Sequence, residues 1–296
     1  MGLDVDLVGV GAGAWNIDPL ALASLRLEKA SQALARGDAD LALVEAEELL
    51  ESAPNSVEAL AVVAESALML GDAMLALAAL ATLEVAGDDS AKFWCDLSRA
   101  RFLAADLEGS LRAARAATER APDMGDAWLQ QALSLERLGR PSAAALAWQH
   151  AATVDAERFS LPPVIAEDVW QSSLDQALLA LPQPVQAFYL RVPIAWAAFA
   201  DVADLVAVQP PLSPLLDGMY SGTPPSDPED RGESLPDCVR LFRGNLRLPA
   251  SNATQLTARI HATLVNEAAD WLGLPITPPA GPHPDSALEL ESDPES

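Results

Sequence analysis

One junction recurs at a fixed interval through the first half of the chain. Gly37, Gly71 and Gly139 are separated by 34 and by twice 34 residues, and Ala105 stands at the position between them. A polar residue and an alanine-rich stretch follow each: Gly37-Asp38, Gly71-Asp72, Ala105-Asp106 and Gly139-Arg140. A helix has to end there and another begin. Companion positions keep the register. Trp94 and Trp128 are 34 apart near the start of their first helices, and Ala42, Ala76, Ser110 and Ala144 share one small-residue position in the second helices. Small residues there let paired helices approach closely. Pro54 and Pro122, 68 apart, close the first and third repeats, while Asp88 and Ala156 stand at that place in the other two.

These residues resemble the tetratricopeptide repeat pattern, with four repeats between about residues 23 and 157 in a helical region 19–157. Stacked hairpins bury a continuous core and leave a concave face lined by the first helix of each repeat. The resemblance implies that this face receives an extended or helical peptide. Register places Glu58, Glu65 and Met69 of the second repeat, Arg99 and Phe102 of the third, and Asp126, Glu136 and Arg137 of the fourth in that groove. The lining is mixed in charge. It lacks the paired Lys and Asn positions with which some members clamp a carboxy-terminal carboxylate, so that mode is not expected.

A chain of 296 residues exceeds the usual size of one domain, which leads us to expect a second core. Eighteen Lys and Arg against 43 Asp and Glu give a net charge of -25, which repels phosphate backbones and anionic lipid heads. Nucleic acid and membrane surfaces are therefore poor partners, whereas a basic protein or cationic segment is attracted. Cys95 and Cys238, 143 positions apart, form no metal-ligand spacing and suit a reduced compartment. Met1 to Trp15 lacks a basic n-region and carries Asp4 and Asp6, unlike a secretory signal. The apolar stretch from Ala59 to Gly87 is broken by Glu65, Asp72 and Glu84, too costly for a bilayer centre. A soluble, cytoplasmic protein is expected. Gly9-Val10-Gly11-Ala12-Gly13 has too little chain before it for a nucleotide-binding βαβ unit. We read 1–18 as a flexible extension, with Asp18 as cap and Pro19 in the first helical turn, and the Pro-, Glu-, Asp- and Ser-rich 276–296 as a disordered tail.

The period is lost after residue 157, and Leu161-Pro162-Pro163 makes 158–167 a linker to a second domain, 168–275. Its pattern predicts a helix to about Leu181, a strand across Arg191 to Ala197 and a short strand near Met219-Tyr220. A Pro- and Asp-rich loop from Thr223 to Pro236 follows, then a strand from Val239 to Phe242 and a helix from about Asn252 to Leu272. Asp201 and Asp204 read as ordinary surface charges.

Three pieces of this domain are distinctive in order: Leu215-Leu216-Asp217-Gly218-Met219-Tyr220-Ser221-Gly222, Leu235-Pro236-Asp237-Cys238-Val239-Arg240-Leu241-Phe242-Arg243, and the helix Thr263-Leu264-Val265-Asn266-Glu267-Ala268-Ala269-Asp270-Trp271-Leu272-Gly273-Leu274. Together they resemble the minimal zincin-like metallopeptidase domains of bacteria, over roughly Asp168 to Leu274. The fold class expected is thus an α-helical tetratricopeptide solenoid followed by a small α+β zincin-like domain. That family's chemistry uses His-Glu-x-x-His, whose imidazoles share a helix face and bind zinc while the Glu takes a proton from metal-bound water.

Here the two imidazole positions hold Asn266 and Asp270, and Glu267 remains. An amide is a poor zinc ligand, and one carboxylate does not replace a pair of imidazoles. His261 lies five residues before Asn266, about 140° around the helix, and faces away. His150 belongs to the fourth repeat and His283 to the tail, while Leu-Pro-Ile-Thr-Pro-Pro after Gly273 supplies no downstream acidic ligand. An inactive, metal-free and cofactor-free domain is expected. Arg259, Thr263, Asn266, Asp270 and Gly273 form one helical stripe, a candidate cleft for peptide bound by strand addition. The leading expectation is a scaffold that binds another polypeptide. The alternatives are a metallopeptidase with unusual ligands, its substrate delivered by the repeats, and a chaperone for a basic client.

Overall fold

A computed structural model of the chain describes residues 19–225, 234–248 and 252–275. Eight helices come first: α1 (Pro19–Ala35), α2 (Ala39–Ser52), α3 (Val57–Met69), α4 (Ala73–Val85), α5 (Ala91–Leu103), α6 (Leu107–Arg120), α7 (Gly125–Arg137) and α8 (Pro141–Val154). They pack as four successive hairpins, each also leaning on the next.

The recurring junctions are one turn built four times. Gly37, Gly71, Ala105 and Gly139 have φ of 73°, 74°, 59° and 69°. The next amide, of Asp38, Asp72, Asp106 or Arg140, donates to the carbonyl five residues back at 2.8 to 2.9 Å. This arrangement satisfies carbonyls left over at a helix end. The Asp38, Asp72 and Asp106 carboxylates then accept from the amides of Leu41, Leu75 and Gly109 at 3.2, 2.9 and 2.9 Å, capping the second helices. Arg140 cannot accept such a bond, and α8 opens instead on Pro141, whose missing amide leaves one donor fewer to satisfy.

Ala42, Ala76, Ser110 and Ala144 are all buried. The one polar member is provided for. The Ser110 hydroxyl lies 3.0 Å from that of Ser98 and 2.8 Å from that of Ser134, so three hydroxyls bond one another inside the array. Trp94 and Trp128 each tie the start of a first helix to the preceding turn, donating to the Asp89 carboxylate at 2.7 Å and the Pro122 carbonyl at 2.8 Å.

The remaining elements are α9 (Glu167–Ala180), α10 (Gln183–Tyr189), β1 (Ile194–Ala197), α11 (Val202–Leu205), β2 (Gly218–Tyr220), β3 (Val239–Phe242), α12 (Arg243–Leu246) and α13 (Ala253–Leu272). The strand order is β1-β3-β2, with β1 parallel and β2 antiparallel to β3. Trp170 and Leu174 from α9, Val239 and Leu241 from β3, and Ile260, Leu264 and Trp271 from α13 meet in one core. Asn252 caps α13 by accepting from the Gln255 amide at 2.9 Å, and Gly273 ends it at φ 66°.

This is a helical repeat solenoid followed by a small α+β domain, as the pattern predicts. The first strand is shorter than expected. The amides of Arg191 and Val192 both donate to the Phe188 carbonyl at 3.0 Å, prolonging the end of α10, and Pro193 has no amide to give a ladder. The Gly9 to Gly13 segment, Asp18, most of the Thr223 to Pro236 loop and the tail with His283 lie outside the described residues. Among the described residues no helix is long and apolar enough to cross a membrane.

Candidate functional site

Helix α13 presses one face against β2. At Gly218 an added Cβ would sit 2.8 Å from the Arg240 carbonyl oxygen and from Thr263 Cγ2, so only glycine permits this approach. Along the contact, Tyr220 holds both acids of the altered motif. Its amide donates to Glu267 Oε2 at 3.0 Å, and its hydroxyl donates to Asp270 Oδ2 at 2.6 Å. Below them, Arg259 grips the Asp217 carboxylate with two nitrogens, at 2.9 and 2.5 Å. The Thr263 hydroxyl donates to the Arg259 carbonyl at 2.9 Å and is buried. Asn266 is half-buried and Gly273 exposed. Four members of the stripe, Arg259, Thr263, Asp270 and the adjacent Glu267, are thus engaged within the domain.

Burial lifts the Glu267 carboxyl to about 7; the Tyr220 amide opposes that rise and the Asp270 charge adds to it. Burial also raises Asp217, against the pull of Arg259. Tyr189 donates to the Leu264 carbonyl at 2.8 Å, and burial followed by the nearby Glu267 charge pushes its phenol up.

A zincin-like domain implies zinc, and the side chains present do not fit it. The first imidazole position offers an amide, and the second a carboxylate already accepting a hydrogen bond. Among the described residues no three His, Cys, Asp or Glu side chains gather as a metal site. His261 turns to the opposite side, its Nε2 3.4 Å from the Ala180 carbonyl of α9. His150 stacks on Trp128 with ring centroids 4.3 Å apart. Cys95 is buried, which raises its thiol to about 12 and keeps it unreactive.

On the repeat array, the expected groove residues divide into two groups. Glu58 is exposed and accepts from the Ser56 hydroxyl at 3.2 Å. Glu65 and Asp96 both pair with Lys92 at 3.0 Å, linking α3 to α5. Burial works against the Lys92 charge, but the two carboxylates outweigh it and hold the ammonium above its usual range. Met69 and Arg99 are half-buried, and Asp126 pairs with Arg158 at 2.9 Å.

Phe102, Glu136 and Arg137 lie elsewhere than the groove reading places them. Phe102 is only 2% exposed and belongs to the array's core. Arg137 lies against its ring at 4.8 Å and against Phe199 of the second domain at 4.7 Å. The same guanidinium donates to the Leu133 carbonyl at 3.0 Å, the Pro214 carbonyl at 3.1 Å and the Asn245 side-chain oxygen. Burial lowers it to about 9, so it stays charged at neutral pH. Beside it, Glu136 pairs with Arg247. These residues seat the second domain on the carboxy-terminal ends of α5 and α7, and Leu215 and Leu248 pack onto the array's core there.

The partners in this seam, Phe199, Pro214, Asn245 and Arg247, were not legible from repeat register. A usable signal existed in the three arginines Arg240, Arg243 and Arg247, closely spaced in a strongly acidic chain. Arg240 pairs with Asp204 at 2.6 Å and Asp201 at 3.6 Å, so those two acids are ion-paired and not free surface charges. Arg243 grips Glu167 at 2.7 and 2.6 Å.

Residues 190–275 match the family model described as zincin-like metallopeptidase. No curated protein matches the chain. Solved structures similar to it include a MamA from Desulfovibrio magneticus RS-1, at 20% identity over 48% of this chain and 78% of that one, with a TM-score of 0.42. Another MamA crystal structure is similar at 21% identity over 43% of this chain and 74% of that one, with a TM-score of 0.39. A mutant O-GlcNAc transferase from Thermobaculum terrenum is similar at 18% identity over 61% of this chain and 32% of that one, with a TM-score of 0.44.

Proposed function

We propose that this chain, a tetratricopeptide-type array carrying a zincin-like domain, is a cytoplasmic interaction scaffold that binds another polypeptide and does not hydrolyse it. One observation carries the non-catalytic reading. Where zincin chemistry needs two imidazoles stand Asn266 and Asp270, and Asp270 already accepts the Tyr220 hydroxyl at 2.6 Å. The open part of the repeat face, around Glu58, Glu65, Met69 and Arg99, is the partner's seat. The stripe Arg259, Thr263, Asn266 and Asp270 beside β2 supplies a second, weaker surface. Net charge favours a basic partner over nucleic acid or lipid.

The test is affinity capture followed by mass spectrometry, comparing the wild type with Arg99→Glu combined with Glu65→Lys. A partner retained by the first and lost by the second supports the groove. Phe102→Ala is a poor choice, because it would open a cavity in the core. Metal analysis of the purified chain addresses the domain: stoichiometric zinc that disappears in Asp270→Ala, together with peptide cleavage, would reverse the reading. That second reading has one point in its favour. A Glu267 carboxyl near 7 is poised as a general base should be.

A further inference from the structure

Between the turn of the second repeat and segment 210–216 lies a cavity of about 480 Å³. Leu70, Met74 and Leu103 form one wall, and Pro211, Leu215 and Leu216 form the other. A volume in the range of roughly 300–1,000 Å³ is typical of sites that take drug-sized ligands. At its mouth Leu70 is 42% and Met74 58% exposed, a large apolar area left to water. Neither domain makes this cavity alone. It exists because Arg137 and Glu136 hold the second domain against the array.

We propose that this seam is a docking site for an apolar-anchored, basic segment of a partner polypeptide. The inference rests on the scaffold reading above and names the partner's chemistry and a place for it. Apolar walls call for aliphatic or aromatic side chains. Charge supplies the rest of the description. From residue 37 to residue 91, the stretch that contains the first wall's Leu70 and Met74, there are twelve Asp and Glu and no Lys, Arg or His. Asp72 stands on the cavity wall itself. Some of these acids are neutralised from outside the stretch: Arg26 pairs with Glu45 and Glu48, and Lys92 pairs with Glu65. The rest leave a field that draws in cations and speeds their encounter. A second copy of this chain would bring a charge of -25 against the same acidic repeat and is disfavoured as the occupant.

The probe is a fluorescent helix-forming peptide of about a dozen residues with Leu at i and i+4 and Lys on both flanks. Two matched peptides carry Glu in place of Lys, or Gln in place of Leu. Anisotropy with the full chain is expected to show binding of the first peptide only, weakened by added salt. Leu70→Gln with Met74→Gln on one wall, and Leu216→Gln on the other, should each reduce affinity roughly tenfold. Arg99→Glu with Glu65→Lys should leave it nearly unchanged. Circular dichroism establishes that the variants fold, and Met74→Gln alone, at an exposed position, gives a milder check of the same wall. Absence of binding, or equal binding of the Glu-flanked peptide, would overturn the seam site. So would binding that ignores both walls and vanishes with the Arg99 variant, an outcome that leaves the groove reading standing. Conversely, seam binding by the probe with no partner lost in the capture experiment would retire the groove and keep the seam.

Discussion

The four hairpin junctions and the domain seam satisfy their polar groups by opposite routes. At each junction a left-handed residue, an amide five positions from its acceptor and, in three cases, an aspartate cap complete the turn from within a few residues. At the seam, Arg137 reaches acceptors 77 and 108 residues away, and Glu136 meets a cation 111 residues away. A junction therefore forms with its own hairpin and fails alone. The seam forms only when both cores exist, and a buried cation there has no fallback. One arginine has far more to lose than one turn.

Arg137→Ala breaks the comparison most directly. The substitution leaves Phe199, the Pro214 carbonyl and the Asn245 oxygen without their shared partner. It should cost about 4 kcal/mol by urea unfolding, with the two halves separating into distinct transitions. Small-angle scattering should show a more extended particle; a single unshifted transition would mean the seam does not couple the domains.

The next effect is pH-dependent and lies inside the second domain. Burial lifts Glu267 from 4.5 to about 7, so the folded chain holds a proton that the unfolded chain releases across that interval. Stability from this group is complete below about pH 4.5, falls as pH rises toward 7 and is level above. Glu267→Gln keeps an oxygen for the Tyr220 amide and removes the titration. The variant should exceed wild type by up to about 3 kcal/mol at pH 8 and show no such advantage at pH 4. Parallel unfolding midpoints at the two values would decide it.

The smallest effect sharpens the junction side. Gly71 has φ 74° and open space around an added Cβ, so Gly71→Ala meets only a conformational cost of about 1 kcal/mol. Ala105 tolerates φ 59° because its methyl is buried, 4% exposed, which offsets the strain. Thermal unfolding of Gly71→Ala should show a drop of a few degrees; no drop would mean the turn relaxes at that glycine.

The amino-acid order was enough to find the 34-residue junctions, the small positions that let helices pair, β3, α13 and the exchange of two imidazoles for Asn266 and Asp270. These depend on neighbours within one or two helical turns or on residue identity alone, which a linear reading contains. Three-dimensional packing settled the rest. It put Phe102 into a core, turned Glu136 and Arg137 from a groove to a seam, and brought Tyr220 to Glu267 and Asp270 across 47 and 50 residues. Such contacts, and the burial that lifts Glu267, arise from chain segments meeting at long range, and no local pattern encodes which segments will meet.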